Sequence, residues 1–127
     1  MNTDGKEKLF VVVNASGFNN MGRVKTALMF ATVAAGADYR SVLYTVQDGV
    51  DIMIKGEIGK HEKCVPGSPS LSRRLNEALD AGVEILCCSQ AVKNKGVEKK
   101  DLITGVGIAG AMTLIQLTAQ ARGILTF

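Results

Sequence analysis

The sequence predicts an α/β fold in three layers, with helices on both sides of a mainly parallel, roughly five-stranded sheet. Three observations point there. Apolar segments of strand length alternate along the chain with segments of helical periodicity. The opening segment LFVVV, residues 9–13, is continuously apolar and largely β-branched, which suits a strand covered on both faces. The length of 127 residues fits one domain, residues 1–127. A chain of that size buries roughly two thirds of its unfolded surface without needing staples.

Each element follows in order. After the first strand, NASGFNN is a cluster of turn formers. A helix over residues 20–35 comes next, capped by Asn20. Its stripe is Val24, Ala27, Leu28, Ala31, Ala34 and Ala35, small enough to lie close to a sheet, and Gly36 is its expected stop. Residues 42–46 form the second strand, closed by the turn formers Asp48 and Gly49. Residues 55–70, with two prolines and three glycines, read as a loop. Ser70 caps a helix whose stripe is Leu71, Leu75, Ala78 and Leu79 and which ends at Gly82. Residues 83–88 are the third strand, and a short helix starts at Ser89. Residues 93–101 are charged and solvated. Residues 104–108 read as a glycine-interrupted strand. Residues 110–121 form a helix with Ala111, Leu114, Ile115 and Thr118 on one side, and residues 123–127 a last short strand. No internal repeat or linker interrupts this order.

Composition excludes several classes. No apolar run approaches the ~18 residues that span a membrane. Residues 1–8 are a polar extension of mixed charge without the apolar centre of a secretory signal. The formal charge is only +3, and two Tyr, four Phe and no Trp offer few stacking platforms, so no nucleic-acid partner is expected. Three cysteines, Cys64, Cys87 and Cys88, do not make a disulfide framework. They point to free thiols in a reducing compartment, the cytoplasm.

In open α/β sheets, ligands bind outside the carboxyl ends of the strands, near the switch in strand order. That rule selects residues 14–17, 47–49 and 88–90, among which Cys88 is the one strong nucleophile. Cys87 and Cys88 are adjacent in a strand and therefore face opposite sides, with Cys87 the better core candidate. Cys88 stands at a strand-to-helix junction, where helix amides stabilise a thiolate. The amides after Ser89 suit an anionic cargo, and Lys93 adds positive charge one turn on. Asn14, Ser16 and Asp48 are candidate pocket residues from their strand-end positions. Cys64, in a glycine-rich loop, is a candidate resolving or relay thiol. The pair His61 and Cys64 falls short of the three or four ligands a zinc site needs, so no metal is expected. His61 reads as a solvated loop residue. The turn after the first strand lacks the glycine spacing of a nucleotide-binding loop.

The segments VEILCCSQAVKNKG (83–96), KDLITGV (100–106), GAMTLI (110–115) and GILTF (123–127) resemble the DsrE/DsrF-like proteins. The opening strand, the Ala-rich first helix and Asp48 after the second strand fit the same pattern, so the resemblance spans nearly the whole chain from about Lys8. It implies a compact, flavodoxin/Rossmann-like parallel sheet and assembly into homo-oligomers, trimers or hexamers. It also implies sulfur-relay work. A cysteine after the central strand, here Cys88, carries sulfane sulfur as a persulfide, or carries a thiosulfonate group. It exchanges this cargo with a TusA-like carrier protein, without metal or organic cofactor. The loop over 55–70 and the thiol of Cys64 depart from the sulfur-oxidiser members.

Three functions are thus open from sequence. One is an intracellular sulfur transferase or carrier that takes small sulfur anions on Cys88. The second is a non-catalytic ligand-binding or oligomeric assembly module with Cys88 as a core thiol. The third is a peroxide-sensing pair of Cys64 with Cys88.

Overall fold

The computed structural model describes residues 8–63 and 66–127. Residues 1–7 of the polar extension, together with Cys64 and Val65, lie outside the described residues.

Five strands form one sheet: β1 (Leu9–Asn14), β2 (Arg40–Thr45), β3 (Glu84–Cys88), β4 (Val106–Ala109) and β5 (Gly123–Thr126). Their spatial order is β4-β3-β2-β1-β5, and every pairing is parallel. The helices are α1 (Met21–Gly36), α2 (Gly49–Ile52), α3 (Glu57–His61), α4 (Leu71–Asp80), α5 (Ser89–Asn94) and α6 (Ala111–Gln120). Single 3-10 turns lie at Phe18–Asn20 and Lys99–Asp101.

The connections from β1 through β4 all step one way across the sheet, and the last one returns past β1. Such a reversal places the returning helix on the opposite face. The apolar clusters show this division. Val12, Leu43, Ile85, Cys87 and Val106 pack with α1, α4 and α5 on one face. Leu9, Val11 and Val42 form the other face, with Val13 and Leu86 beside Leu114 and Leu117 of α6 and Ala121 just after it. Helices thus cover both sides of the parallel sheet, as the strand–helix alternation predicts.

Several local features differ from the sequence reading. The stripe of α1 is buried at all six expected positions. Gly36, however, is still helical, and the left-handed residue that ends the turn is Asp38, with φ of 69°. The glycine-rich stretch is not all loop, because Glu57–His61 winds one helical turn entered through left-handed Gly56. The fourth strand starts two residues later than expected, after Gly105 takes a φ of 96°. In α6 the inward stripe is Leu114 and Leu117, continued by Ala121 just after it, and Ile115 is 59% exposed. The helix is therefore rotated from the expected Ala111, Leu114, Ile115 and Thr118 face.

Caps follow the expected chemistry. Asn20 accepts from the Arg23 amide at 3.2 Å, and Ser70 from the Arg73 amide at 3.0 Å. Glu62 adds to the second cap. Both of its carboxylate oxygens accept from the Leu71 amide, at 2.7 and 2.8 Å, and Lys25 approaches one of them at 3.2 Å. That carboxylate at a helix N-terminus is favoured by the helix dipole.

Candidate functional site

Strand β3 ends in two cysteines, and the pleat separates them. Cys87 points into the α1/α4 face, fully buried in the main apolar cluster. It stands opposite Thr45 in the β2–β3 register. Burial pushes its thiol above the ordinary value, and a hydrogen bond with Thr45 partly opposes that. Cys88 points to the other face and is half-buried, a free thiol where β3 gives way to α5.

Cys88 lines a cavity of about 560 Å³ together with Val46, Gln47, Gln90, Ala91, Asn94 and Lys95. The lining is thus one thiol, three carboxamides, one ammonium and two apolar side chains. Gln90 and Asn94 are one turn apart on α5 and tied to each other, Nε2 to Oδ1, at 2.9 Å. Gln47 holds a left-handed conformation, φ 49°, at the carboxyl end of β2. Side chains longer than Asn or Asp seldom take that conformation without a local reason. Lys95 is the one charged residue in the lining, and its Nζ lies 3.1 Å from Asp51 and 3.9 Å from Asp48. Asp48 is well exposed and Asp51 partly so, which keeps the pairing in reach of solvent and modest in strength.

Behind the thiol stands Tyr44, 1% exposed in the most buried strand of the sheet. Its hydroxyl donates to the Ala109 carbonyl at 2.9 Å, and Ala109 is the residue that stands opposite Cys88 across β3 and β4. Burial is the main reason the phenol titrates well above its ordinary value of 10.0, with the neighbouring Cys88 reinforcing the effect.

The other residues singled out from sequence sit around this cavity rather than in it. Asn14 is 1% exposed and spends its carboxamide on its own turn. Its Nδ2 donates to the Ser16 carbonyl at 3.0 Å, and its Oδ1 accepts from the Ser16 amide at 3.2 Å. Gly49 passes so close that a Cβ there would stand 2.5 Å from the Asn14 carbonyl oxygen. Gly17 likewise fits against Asp48. Asn14, Ser16 and Asp48 therefore join the turns after β1 and β2, and only Asp48 reaches toward the thiol cavity, through Lys95. Ser89 is exposed at the start of α5, beside Gly110 before α6. Lys93 is exposed on α5 and does not line the cavity, where Lys95 stands instead. The reversal of strand order falls between β1 and β5, two strands from Cys88, so the thiol marks the carboxyl edge of the sheet but not its switch point.

His61 is less free than a solvated loop residue. Its ring stacks on Phe18 with centroids 3.9 Å apart and planes 8° off parallel, and Nδ1 lies 2.9 Å from the Glu57 carbonyl. Among the described residues no group of three or more His, Cys, Asp and Glu side chains could hold a metal ion. No helix among them is long and apolar enough to cross a membrane.

Comparison with known proteins agrees with this architecture. Residues 7–127 match the DsrE/DsrF-like family. The chain is 28% identical over 114 residues to uncharacterized protein MJ0760 of Methanocaldococcus jannaschii, covering 90% of this chain but only 40% of that protein. It is 25% identical over 124 residues to uncharacterized protein MK0008 of Methanopyrus kandleri, covering 98% and 97%. Among solved structures, the ychN protein from E. coli superimposes with a TM-score of 0.71 at 21% identity, covering 94% of this chain and 99% of that one. Protein MTH1491 from Methanobacterium thermoautotrophicum gives 0.68 at 13% identity, covering 94% and 98%. These structural likenesses concern the fold.

Proposed function

This chain belongs to the DsrE/DsrF-like family, and from that premise we propose that it is an intracellular sulfur-relay protein that carries sulfane sulfur, or a thiosulfonate group, on Cys88. The observation that carries the reading is the half-buried thiol of Cys88 in a cavity that offers carboxamides and one ammonium but no carboxylate in its lining. Such walls offer hydrogen-bond donors and one ammonium to a small sulfur anion, with Asp48 and Asp51 behind the ammonium rather than in the lining.

The chemistry needs only thiolate exchange. The Cys88 thiolate attacks the outer sulfur of a persulfide donor. The S–S bond of the donor breaks, a new S–S bond forms on Cys88, and the donor leaves as a thiolate. With tetrathionate the attack falls on a central sulfur, and thiosulfate departs with the bonding pair. An acceptor thiolate then removes the cargo and regenerates Cys88. No external oxidant or reductant enters either exchange. Lys95, Gln90 and Asn94 are placed to hold an anionic cargo or leaving group.

The acceptor in this reading is the exposed cysteine of a TusA-like carrier, for which the 560 Å³ cavity leaves room around Cys88. Homo-oligomers complete the proposal. Exposed apolar side chains gather along α6 and the edge strand β5: Met112, Ile115, Ile124 and Leu125. Phe30 stacks on Phe127 beside them, with centroids 5.9 Å apart. Exposed apolar side chains on and beside an edge strand are of the kind that assembly covers. Transfer is tested by mixing sulfur-loaded protein with a reduced TusA-like carrier and weighing both proteins. The proposal expects mass to leave this chain and appear on the carrier. Retention of the label on this chain would remove the carrier from the scheme.

A further inference from the structure

Tyr44 is buried, polar, and used by nothing in the exchange just described. A phenol at the centre of a sheet is retained with its hydroxyl satisfied or not at all. Here the strand register shows what that hydroxyl is beside. Tyr44 stands opposite Leu86 in the β2–β3 pairing, and Cys88 is two residues on along β3, on the same face. Cys88 in turn stands opposite Ala109 in the β3–β4 pairing. To reach the Ala109 carbonyl at 2.9 Å, the Tyr44 side chain spans β3 on the face that Cys88 shares, and its oxygen ends at the residue paired with Cys88.

A phenol has one proton to give. In the neutral site that proton goes to the Ala109 carbonyl, and the phenol oxygen keeps its acceptor lone pairs. When the thiol ionises it loses its donor and becomes the stronger acceptor. We propose that the Tyr44 hydroxyl is a two-position hydrogen-bond partner, turning from the Ala109 carbonyl to the Cys88 sulfur when the thiolate forms. The movement is a rotation about the C–O bond and needs no backbone change. Tyr44 is thereby a positioning residue that supplies the Cys88 thiolate with a hydrogen-bond donor. This deepens the sulfur-relay reading and rests on it for its purpose, although the hydrogen-bond exchange itself does not depend on the cargo.

The test uses chains in which Cys64→Ser and Cys87→Ala leave Cys88 as the one thiol of three. The rate of alkylation by iodoacetamide is followed from mildly acidic to alkaline pH, with and without Tyr44→Phe. The expected result is a pH midpoint higher by about one unit in the Phe variant, with the neutral-pH rate several-fold lower. An unchanged or lower midpoint would overturn the proposal, whatever happens to thermal stability. A fluorinated tyrosine, incorporated in a Tyr39→Phe chain so that Tyr44 alone carries it, covers the case in which Tyr44→Phe does not fold. The fluorinated phenol is the stronger donor and must lower the midpoint; no change would again overturn the proposal. Sulfur loading of the parent chain, measured in parallel, separates the two claims. If Tyr44→Phe shifts the midpoint as expected but the parent takes no sulfur, the Tyr44 assignment is retained and the relay reading is lost.

Discussion

Cys87 and Cys88 are consecutive residues with opposite environments: the first is wholly buried among apolar side chains, and the second opens into a 560 Å³ cavity. The pleat of β3 alone produces the difference. Native protein exposed briefly to iodoacetamide therefore takes the label on Cys88, and Cys87 follows only on unfolding. Peptide mapping should show Cys88 ahead by about two orders of magnitude in rate. Equal labelling of the two thiols would contradict their placement.

Alkaline pH destabilises this fold, and the sign follows from the buried acids. Burial favours the neutral forms of Cys87 and Tyr44, so both titrate above their ordinary values of 9.0 and 10.0 in the folded chain. The unfolded chain releases those protons first. Stability from these groups is therefore fully present below about pH 9 and is lost as pH rises toward the folded values. Urea unfolding at a series of alkaline pH values should show the midpoint falling, and Cys87→Ala should flatten the first part of the decline. A midpoint that rises with pH in that window would contradict the assignment.

The turns after β1 and β2 fit together through glycine. Gly49→Ala places a Cβ 2.5 Å from the Asn14 carbonyl oxygen, a backbone atom that cannot step aside cheaply. The expected cost is about 2 kcal/mol, read as a lower urea midpoint with an unchanged slope. Gly22→Ala, in open space within α1, is the control and should not destabilise.

Assembly depends on the apolar edge. Leu125 and Ile124 are 37% and 45% exposed on β5, which pairs only with β1 among the described strands. Leu125→Lys should convert an oligomer into monomers in light scattering at micromolar concentration, while circular dichroism stays the same. A wild-type monomer under those conditions would remove the oligomer from the account.

The sequence made some of this architecture legible and hid the rest for physical reasons. The stripe of α1 could be read because alanines recur along it at helical spacing and Arg23, Lys25 and Thr26 mark the opposite side of the first turns, although Phe30 and Val33 lie exposed further on. The face of α6 could not, because AMTLIQLTAQ has apolar residues all round, so periodicity does not fix its rotation. The turn at Glu57–His61 is only five residues, and Gly56 before it and Gly59 within it masked it. In the site, the position of Cys88 follows from where an apolar run meets Ser89. The approach of Lys95 rather than Lys93 does not, since α5 ends at Asn94 and the C-cap residue turns its side chain back toward Asp51. Gln90 and Asn94 carried a readable signal in their four-residue spacing. Tyr44 carried none, because its place beside Cys88 depends on the register of three strands.

The central claim is that Cys88 holds the cargo. Reduced protein is incubated separately with polysulfide and with tetrathionate, and its intact mass is compared with those of Cys88→Ser and Cys64→Ser. The account predicts a sulfur or thiosulfonate adduct on wild type, removed by reductant and absent from Cys88→Ser. An adduct of equal yield on Cys88→Ser, or none on wild type with either donor, would contradict it.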